Sequence, residues 1–251
     1  MRVRLISLAV VFVGWWVASL FGSDLTVPSP FLVISKFIDL MVSGRLPSAL
    51  ALSLSALAIG GVLSIMIGIP VGILLGVRRY LAQAFEFYFS ALYVMPMSAI
   101  VPLMVLWFGF DLNARVIFIF IFTVPQIVIT CYQGAKNMPT NFVEVARAFR
   151  ATDREIFRKV IIPYEIPVII TALRLGVGRA VQGMVVAELL IAGTRGIGFL
   201  IKIYSAALDL GTVLAIILFV MLLGIVATAL VRWLEAAIAP WQQELVTKLG
   251  E

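Results

Sequence analysis

The chain has 251 residues, 63% of them hydrophobic and only 13% charged, against roughly 45–50% and about 25% in soluble domains. A water-soluble fold of this length cannot hide so much apolar surface, so most of the chain is expected to meet lipid. The net charge of +6, the absence of histidine and the single cysteine, Cys131, exclude a Ser-His-Asp triad, histidine-based metal sites and an internal disulfide framework. Basicity in such a chain points to the cytoplasmic face of a membrane, not to nucleic acid.

Crossing a bilayer takes about 20 apolar residues, and six runs qualify as candidates. The first, Leu5 to Phe21, follows Arg2 and Arg4. No small-x-small cleavage site follows it, so it reads as a retained helix and not as a signal peptide. Next comes a connection from Gly22 to Ser48, with Pro28, Pro30 and Pro47 around an apolar stretch, Phe31 to Val42. That stretch is expected to be a short helix on the interface. The second run, Ala49 to Val77, places Ala56, Gly60, Ser64, Gly68, Gly72 and Gly76 at a four-residue step. On a helix this is one smooth stripe that lets a second helix approach closely, as packing within the subunit or as a moving interface. Pro70 in this run predicts a kink near Ile67.

The third run is Phe85 to Phe110, with Pro96 and Pro102, and the fourth is Val116 to Gln133, with Pro125. A long connection, Gly134 to Arg174, is the most charged part of the chain. Two short amphipathic helices are predicted inside it. The first opens with Asn141 as N-cap and Glu144 three residues on, the capping-box spacing, and carries Phe142, Val145, Ala146 and Phe149 on one face. The second opens at Thr152 with Glu155 three residues on, has Ile156, Phe157, Val160 and Ile161 as its apolar face, and is expected to end at Pro163. Such a helix either lies flat on lipid or inserts its apolar anchors into a partner's groove.

The fifth run, Leu175 to Ala192, is flanked or interrupted by Arg174, Arg179, Gln182 and Glu188. A charge at the bilayer centre costs at least ~2.5–3.5 kcal/mol, so these groups should face a polar cavity or a partner. Arg179 and Glu188 fall on opposite sides of one helix, which excludes a direct pair. Arg179 is expected to snorkel to the cytoplasmic interface. Glu188 either lines the translocation path, stabilises a helix break before Gly193, or caps a neighbouring helix. The sixth run is Val213 to Val231. With both termini inside, 14 of the 19 lysines and arginines lie on the cytoplasmic side, which favours that topology. The fold class is therefore an all-α polytopic bundle of about six transmembrane helices. It forms one domain over 1–251, with a core bundle at 48–235 and a cytoplasmic loop at 137–165.

The loop resembles the EAA loop of ATP-binding-cassette importer permeases, through Glu144, Val145 and Ala146 and then Val160 and Ile162-Pro163. It departs from that pattern at Arg150, where the family usually has glycine. The segment Pro96 to Gly109, PMSAIVPLMVLWFG, resembles the nitrate/sulfonate/taurine/bicarbonate branch. So do Leu173-Arg174 with Gly176, Val186-Ala187-Glu188, Thr194 to Phe199, Asp209 and Pro240-Trp241, and the taurine-type permeases look most similar. The resemblance implies a type I importer fold in the bacterial cytoplasmic membrane that does no covalent chemistry. It implies a second permease copy, ATPase subunits and an extracytoplasmic solute-binding protein as partners, and a small polar or anionic solute. The docking residues it implies are Asn141, Phe142, Glu144, Val145, Ala146, Arg147, Phe149, Arg150 and Pro163. Candidate path residues are Met95, Met97, Trp107, Gln182 and Glu188. The chain has no G-x-x-x-x-G-K-[ST] segment, so no cofactor is expected on it, and ATP with Mg²⁺ is expected on the separate ATPase. A carrier or channel without an ATPase is the rival reading. It calls for coupling carboxylates within several spans, where Glu188 is the one strong candidate.

Overall fold

A computed structural model describes residues 2–191 and 195–238, with side chains over 6–191 and 195–233. Gly193, Thr194, Pro240, Trp241 and Lys248 lie outside the described residues. Within them every regular element is helical. The elements are α1 (Arg2–Phe21), α2 (Pro30–Val42), α3 (Arg45–Val77), α4 (Arg79–Val94), α5 (Val101–Phe108), α6 (Leu112–Lys136), α7 (Thr140–Ala148), α8 (Asp153–Ile156), α9 (Ile162–Leu190), α10 (Ile197–Ala206) and α11 (Leu210–Ile238). Four helical stretches are long and apolar enough to span a bilayer: α3, α6, the continuous stretch Asp153–Leu190, and α11. The pair α4 and α5 counts as a fifth if taken as one broken span. Ile6–Phe21 of α1 is apolar but shorter than a span, so among the described residues four or five of the six expected spans are met by length and composition.

α1 touches the rest lightly, through α2: Trp15 Nε1 donates to the Pro28 carbonyl at 3.0 Å. α2 forms as expected, begun by Pro30 in its first turn and capped by Ser29. One face of it is packed, with Val33 and Leu40 buried and Phe37 against Phe219 of α11. Lys36 also reaches Asp209 at 2.9 Å. Burial pushes the Asp209 carboxyl up, but its bonds from Lys36 and Thr212 prevail and hold it below the usual range.

Three expectations are corrected. The third run is not one helix: α4 and the stretch Met97–Phe108 meet at 92°. Met95 is extended, the conformation that a following proline enforces, and a 3₁₀ turn, Met97–Ile100, starts the second arm. Pro163 does not end the second loop helix, because α8 runs through a π turn, Phe157–Ile161, straight into α9. The Ile162 amide reaches back five residues to the Phe157 carbonyl. The widened turn lies where the Pro163 ring would otherwise press on the carbonyl of Lys159. The fifth span thus starts far before Leu175. Between it and α11 lies α10, a short helix that hydropathy did not announce. α3 and α6, by contrast, continue as single helices through Pro70 and Pro125.

The small-residue stripe of α3 faces α6 of the same chain. A Cβ on Gly60 would fall 2.9 Å from both Ile119 Cβ and the Val116 carbonyl. One on Gly72 would fall 2.7 Å from Cys131 Cβ and the Val128 carbonyl. Backbone lies against backbone here, which is how helices gain dispersion contact when lipid offers no hydrophobic drive. Gly72→Ala should therefore destabilise the purified protein by about 1–3 kcal/mol, the range for overpacking. Gly61→Ala, whose Cβ meets only Ala180 Cβ at 3.9 Å, should be neutral or stabilising by up to ~1 kcal/mol. Thermal melting of both variants in detergent checks the contrast.

Candidate functional sites on the loop and within the bundle

The loop projects from the end of the bundle where α3 and α6 finish. Thr152 and Glu155 form the expected capping box: Thr152 Oγ1 accepts from the Glu155 amide at 3.3 Å, and Glu155 Oε2 accepts from the Thr152 amide at 3.0 Å. Ile156 and Ile161 anchor this limb in a core cluster with Ile73, Ile127, Cys131 and Ala172. The expected cap at Asn141 is corrected. The N-cap position is Pro139, and Asn141 lies inside α7 with its side chain accepting from the next amide, Phe142 N, at 3.0 Å. A proline before the helix already sets the extended entry that a polar cap would otherwise supply.

α7 holds to the bundle by one edge only. Val143 and Ala146 pack inward, while Phe142, Val145 and Phe149 are 49%, 57% and 83% exposed, and Glu144, Arg147 and Arg150 are exposed beside them. Of the predicted apolar face, Ala146 packs inward and Phe142, Val145 and Phe149 are turned away from the chain's own core. The helix ends in a Schellman arrangement. The Arg150 amide bonds the Arg147 carbonyl at 2.8 Å, and the Ala151 amide bonds the Ala146 carbonyl at 3.1 Å. Arg150 closes it with φ +57°, the left-handed conformation for which glycine is the usual residue. Pro163 stands in the first turn of α9, next to Tyr164, whose ring lies 5.9 Å from that of Phe142.

At the opposite end of α9, Glu188 is 1% exposed and joins four helices. It accepts from Ser53 Oγ of α3 at 2.9 Å and from the Gly198 amide of α10 at 2.9 Å. Arg115 Nη1 of α6 lies at 3.5 Å. Ser53 Oγ in turn accepts from the Ile197 amide at 3.0 Å. The N-cap residue of α10, Gly196, offers no side-chain bond of its own, so Glu188 and Ser53 satisfy its first amides and oppose its dipole. A Cβ on Gly198 would lie 2.7 Å from Glu188 Cβ, which is why this turn is glycine-rich. Glu188 is thus enclosed, and its bonds to Ser53 and the Gly198 amide are those of a carboxylate that caps a neighbouring helix. Ser53 and Arg115 were not singled out as site residues. The available signal was that Ser53 precedes Ala56 by three on the stripe, and that Arg115 opens an apolar span.

The remaining path candidates separate. Met97 is buried in a cluster with Val101, Met104, Phe118, Ala187 and Ile191, and Met95 packs on its edge. Trp107 is 63% exposed on α5, and Gln182 is exposed on α9. Arg179 does not snorkel away from its span. Its guanidinium carbon lies 4.0 Å from the Phe122 ring centroid and 5.6 Å from that of Tyr93.

Among the described residues the architecture is that of a polytopic membrane bundle, with a half-detached amphipathic helix at one end and glycine-lined helix crossings. Residues 68–240 match the family described as binding-protein-dependent transport system inner membrane component, and the chain belongs to that family. It is 29% identical over 240 residues to a probable ABC transporter permease protein of Brucella abortus (strain 2308), covering 96% of this chain and 95% of the other. It is 29% identical to the taurine transport system permease protein TauC of Escherichia coli (strain K12), covering 95% and 89%. It is 33% identical to the nitrate import permease protein NrtB of Leptolyngbya laminosa, covering 78% and 70%. The fold matches a chain of the inward-facing MetNI methionine ABC transporter at a TM-score of 0.61 and 22% identity, over 76% of this chain and 96% of that one. The chain is the permease subunit of an ABC importer and an integral inner-membrane protein.

Two outcomes follow from these geometries. Arg150→Gly should stabilise the loop by about 1 kcal/mol, by removing a side chain from the left-handed region, read as slower hydrogen exchange at Ala151. Glu188→Ala should cost ~3–5 kcal/mol, because it leaves Arg115 buried without its counter-charge, read as a lowered melting midpoint. A path-lining carboxylate would leave that midpoint unchanged.

Proposed function

We propose that two copies of this chain enclose a translocation path in the bacterial cytoplasmic membrane, with N- and C-termini cytoplasmic, and that each copy offers α7 to one separate ATPase subunit. The exposed apolar face of Phe142, Val145 and Phe149, flanked by Glu144, Arg147 and Arg150, carries this reading. Aromatic and arginine side chains around a small apolar centre are the composition of a protein-docking surface. Asn141 and Ala146 border this surface, and Pro163 marks where the docked limb enters α9. ATP and Mg²⁺ reside on the ATPase, and this chain carries no cofactor.

The solute is a small polar or anionic compound of the taurine, sulfonate or nitrate kind, delivered by an extracytoplasmic binding protein. Likeness to the taurine and nitrate permeases supports this class. Nucleotide-driven closure of the ATPases draws the two docked helices together and turns the path outward, and hydrolysis resets it. Such a cycle turns differential binding between two states into direction. The experiment that tests the docking surface uses Phe149→Glu and Glu144→Lys. Each should weaken co-purification of the ATPase by about 30-fold, the scale of an interface hot spot, with the permease's own melting midpoint unchanged. Wild-type ATPase recovery with both variants would overturn the assignment. Solute uptake by the chain alone, without an ATPase, would favour a carrier.

A further inference from the structure

Arg179 lies about eleven residues before the end of α9 at Leu190, hence roughly 17 Å along the axis, close to the middle of a hydrocarbon core about 30 Å thick. Phe122, ten residues into α6, gives about the same depth from the same end of the bundle. Two aromatic rings hold the guanidinium there: Phe122 at 4.0 Å and Tyr93, in the last turn before the break between α4 and α5, at 5.6 Å. Arg179 is partly exposed. Among the described residues no carboxylate lies within 4.0 Å of it, and its buried Nε has no hydrogen-bond partner. Glu188, the one acid in the outer part of the same helix, is fully committed to Arg115, Ser53 and Gly198.

The face beside Arg179 is uncovered. A Cβ on Gly178 would meet nothing within 4 Å, Gln182 is exposed one turn on, and Leu175 one turn before is 47% exposed. A permanent cation at this depth cannot face lipid tails at low cost. Lipid headgroups, which lie outside the hydrocarbon core, are out of its reach. Aromatic contact holds the guanidinium without using its N–H donors, and those paired donors match two oxygens of a carboxylate, sulfonate or nitrate.

We propose that Arg179 is the anion-binding group at the middle of the translocation path. It takes the oxyanion head of a small singly charged solute, with Phe122 and Tyr93 as positioning residues and Gln182 as the neutral second contact. This rests on the importer reading above and assigns its substrate chemistry to one side chain. Tyr93 also couples the seat to the bent α4–α5 junction, so movement at that junction changes the seat.

The test uses the full chain with its ATPase in nanodiscs. Nitrate, methanesulfonate and acetate are titrated against methanesulfonamide and acetamide as neutral counterparts, with ionic strength held by gluconate, and the melting midpoint is read. At least one of the three anions should raise it saturably, and the neutral compounds should not. Arg179→Gln should raise the half-saturating concentration at least about tenfold, the scale of one charge-assisted hydrogen bond. Arg179→Lys, which keeps charge but loses the fork, should fall between. If Arg179→Gln does not fold, Leu175→Glu serves. It sets a carboxylate four residues before Arg179 as an internal competitor and should produce a similar loss with the aromatic seat intact. No saturable response to any of the three anions, or an unchanged response in the variants, overturns the proposal. Absence of the ATPase from the purified complex would remove the importer reading and leave the anion response to be judged on the permease alone.

Discussion

Where α3 crosses α6, two backbones lie against each other with almost no side chain between them. Gly60 and Gly72 have room for a hydrogen and nothing more before Ile119, Cys131 and the carbonyls of Val116 and Val128. In lipid this close approach is the available source of helix association, since burying leucine from acyl chains gains little. The rest of the bundle is assembled on this pair. α9 lies across both, with Ala180 and Met184 buried against Ala56 and Ile119, and α10, α11 and α2 build outward from that core.

α9 is the element that brings the functional features into register. With α8 and the π turn it forms a single helical stretch, Asp153–Leu190, of 38 residues, roughly 57 Å at 1.5 Å per residue. It carries the capped limb beside the detached α7 at one end, Arg179 at mid-depth and Glu188 at the other end. The π turn and Pro167 lie in its loop half, and beyond Pro167 the helix runs to Leu190 without a further proline. The sharp bend is instead in α4–α5, where Met95 and Pro96 turn the chain through a near right angle, and Tyr93 brings that bend to Arg179.

Two arginines within the spans resolve in opposite ways. Arg115 and Glu188 pair, and the pair is supported by Ser53 and by two amides of α10, the kind of supplementary bonding that makes a buried ion pair tolerable. Arg179 has aromatic faces and no acid. One arrangement closes on itself and holds helices together. The other leaves a fixed positive charge with open coordination, a condition that belongs to binding more than to scaffolding.

Much of this was legible in the residues. Composition alone settled the solvent of the chain, the four-residue stripe announced a helix crossing, Thr152 and Glu155 announced a helix start, and the loop from Glu144 to Pro163 announced its family. These are local signals, set by spacing along one helix or by the cost of an exposed apolar face. What stayed hidden was every feature whose partner lies far along the chain. The partners of Glu188 are 73 and 135 positions away, and no periodicity records them. Pro163 reads as a stop until a π turn is seen to absorb its ring. The seat of Arg179 depends on Phe122 and Tyr93 arriving from two other helices. Sequence by itself thus determined the environment, the helices and the surface offered at the loop, because hydropathy and capping act within a few turns. Tertiary structure alone decided which charges are satisfied and which stay available, because that depends on contacts between helices that are distant in the chain.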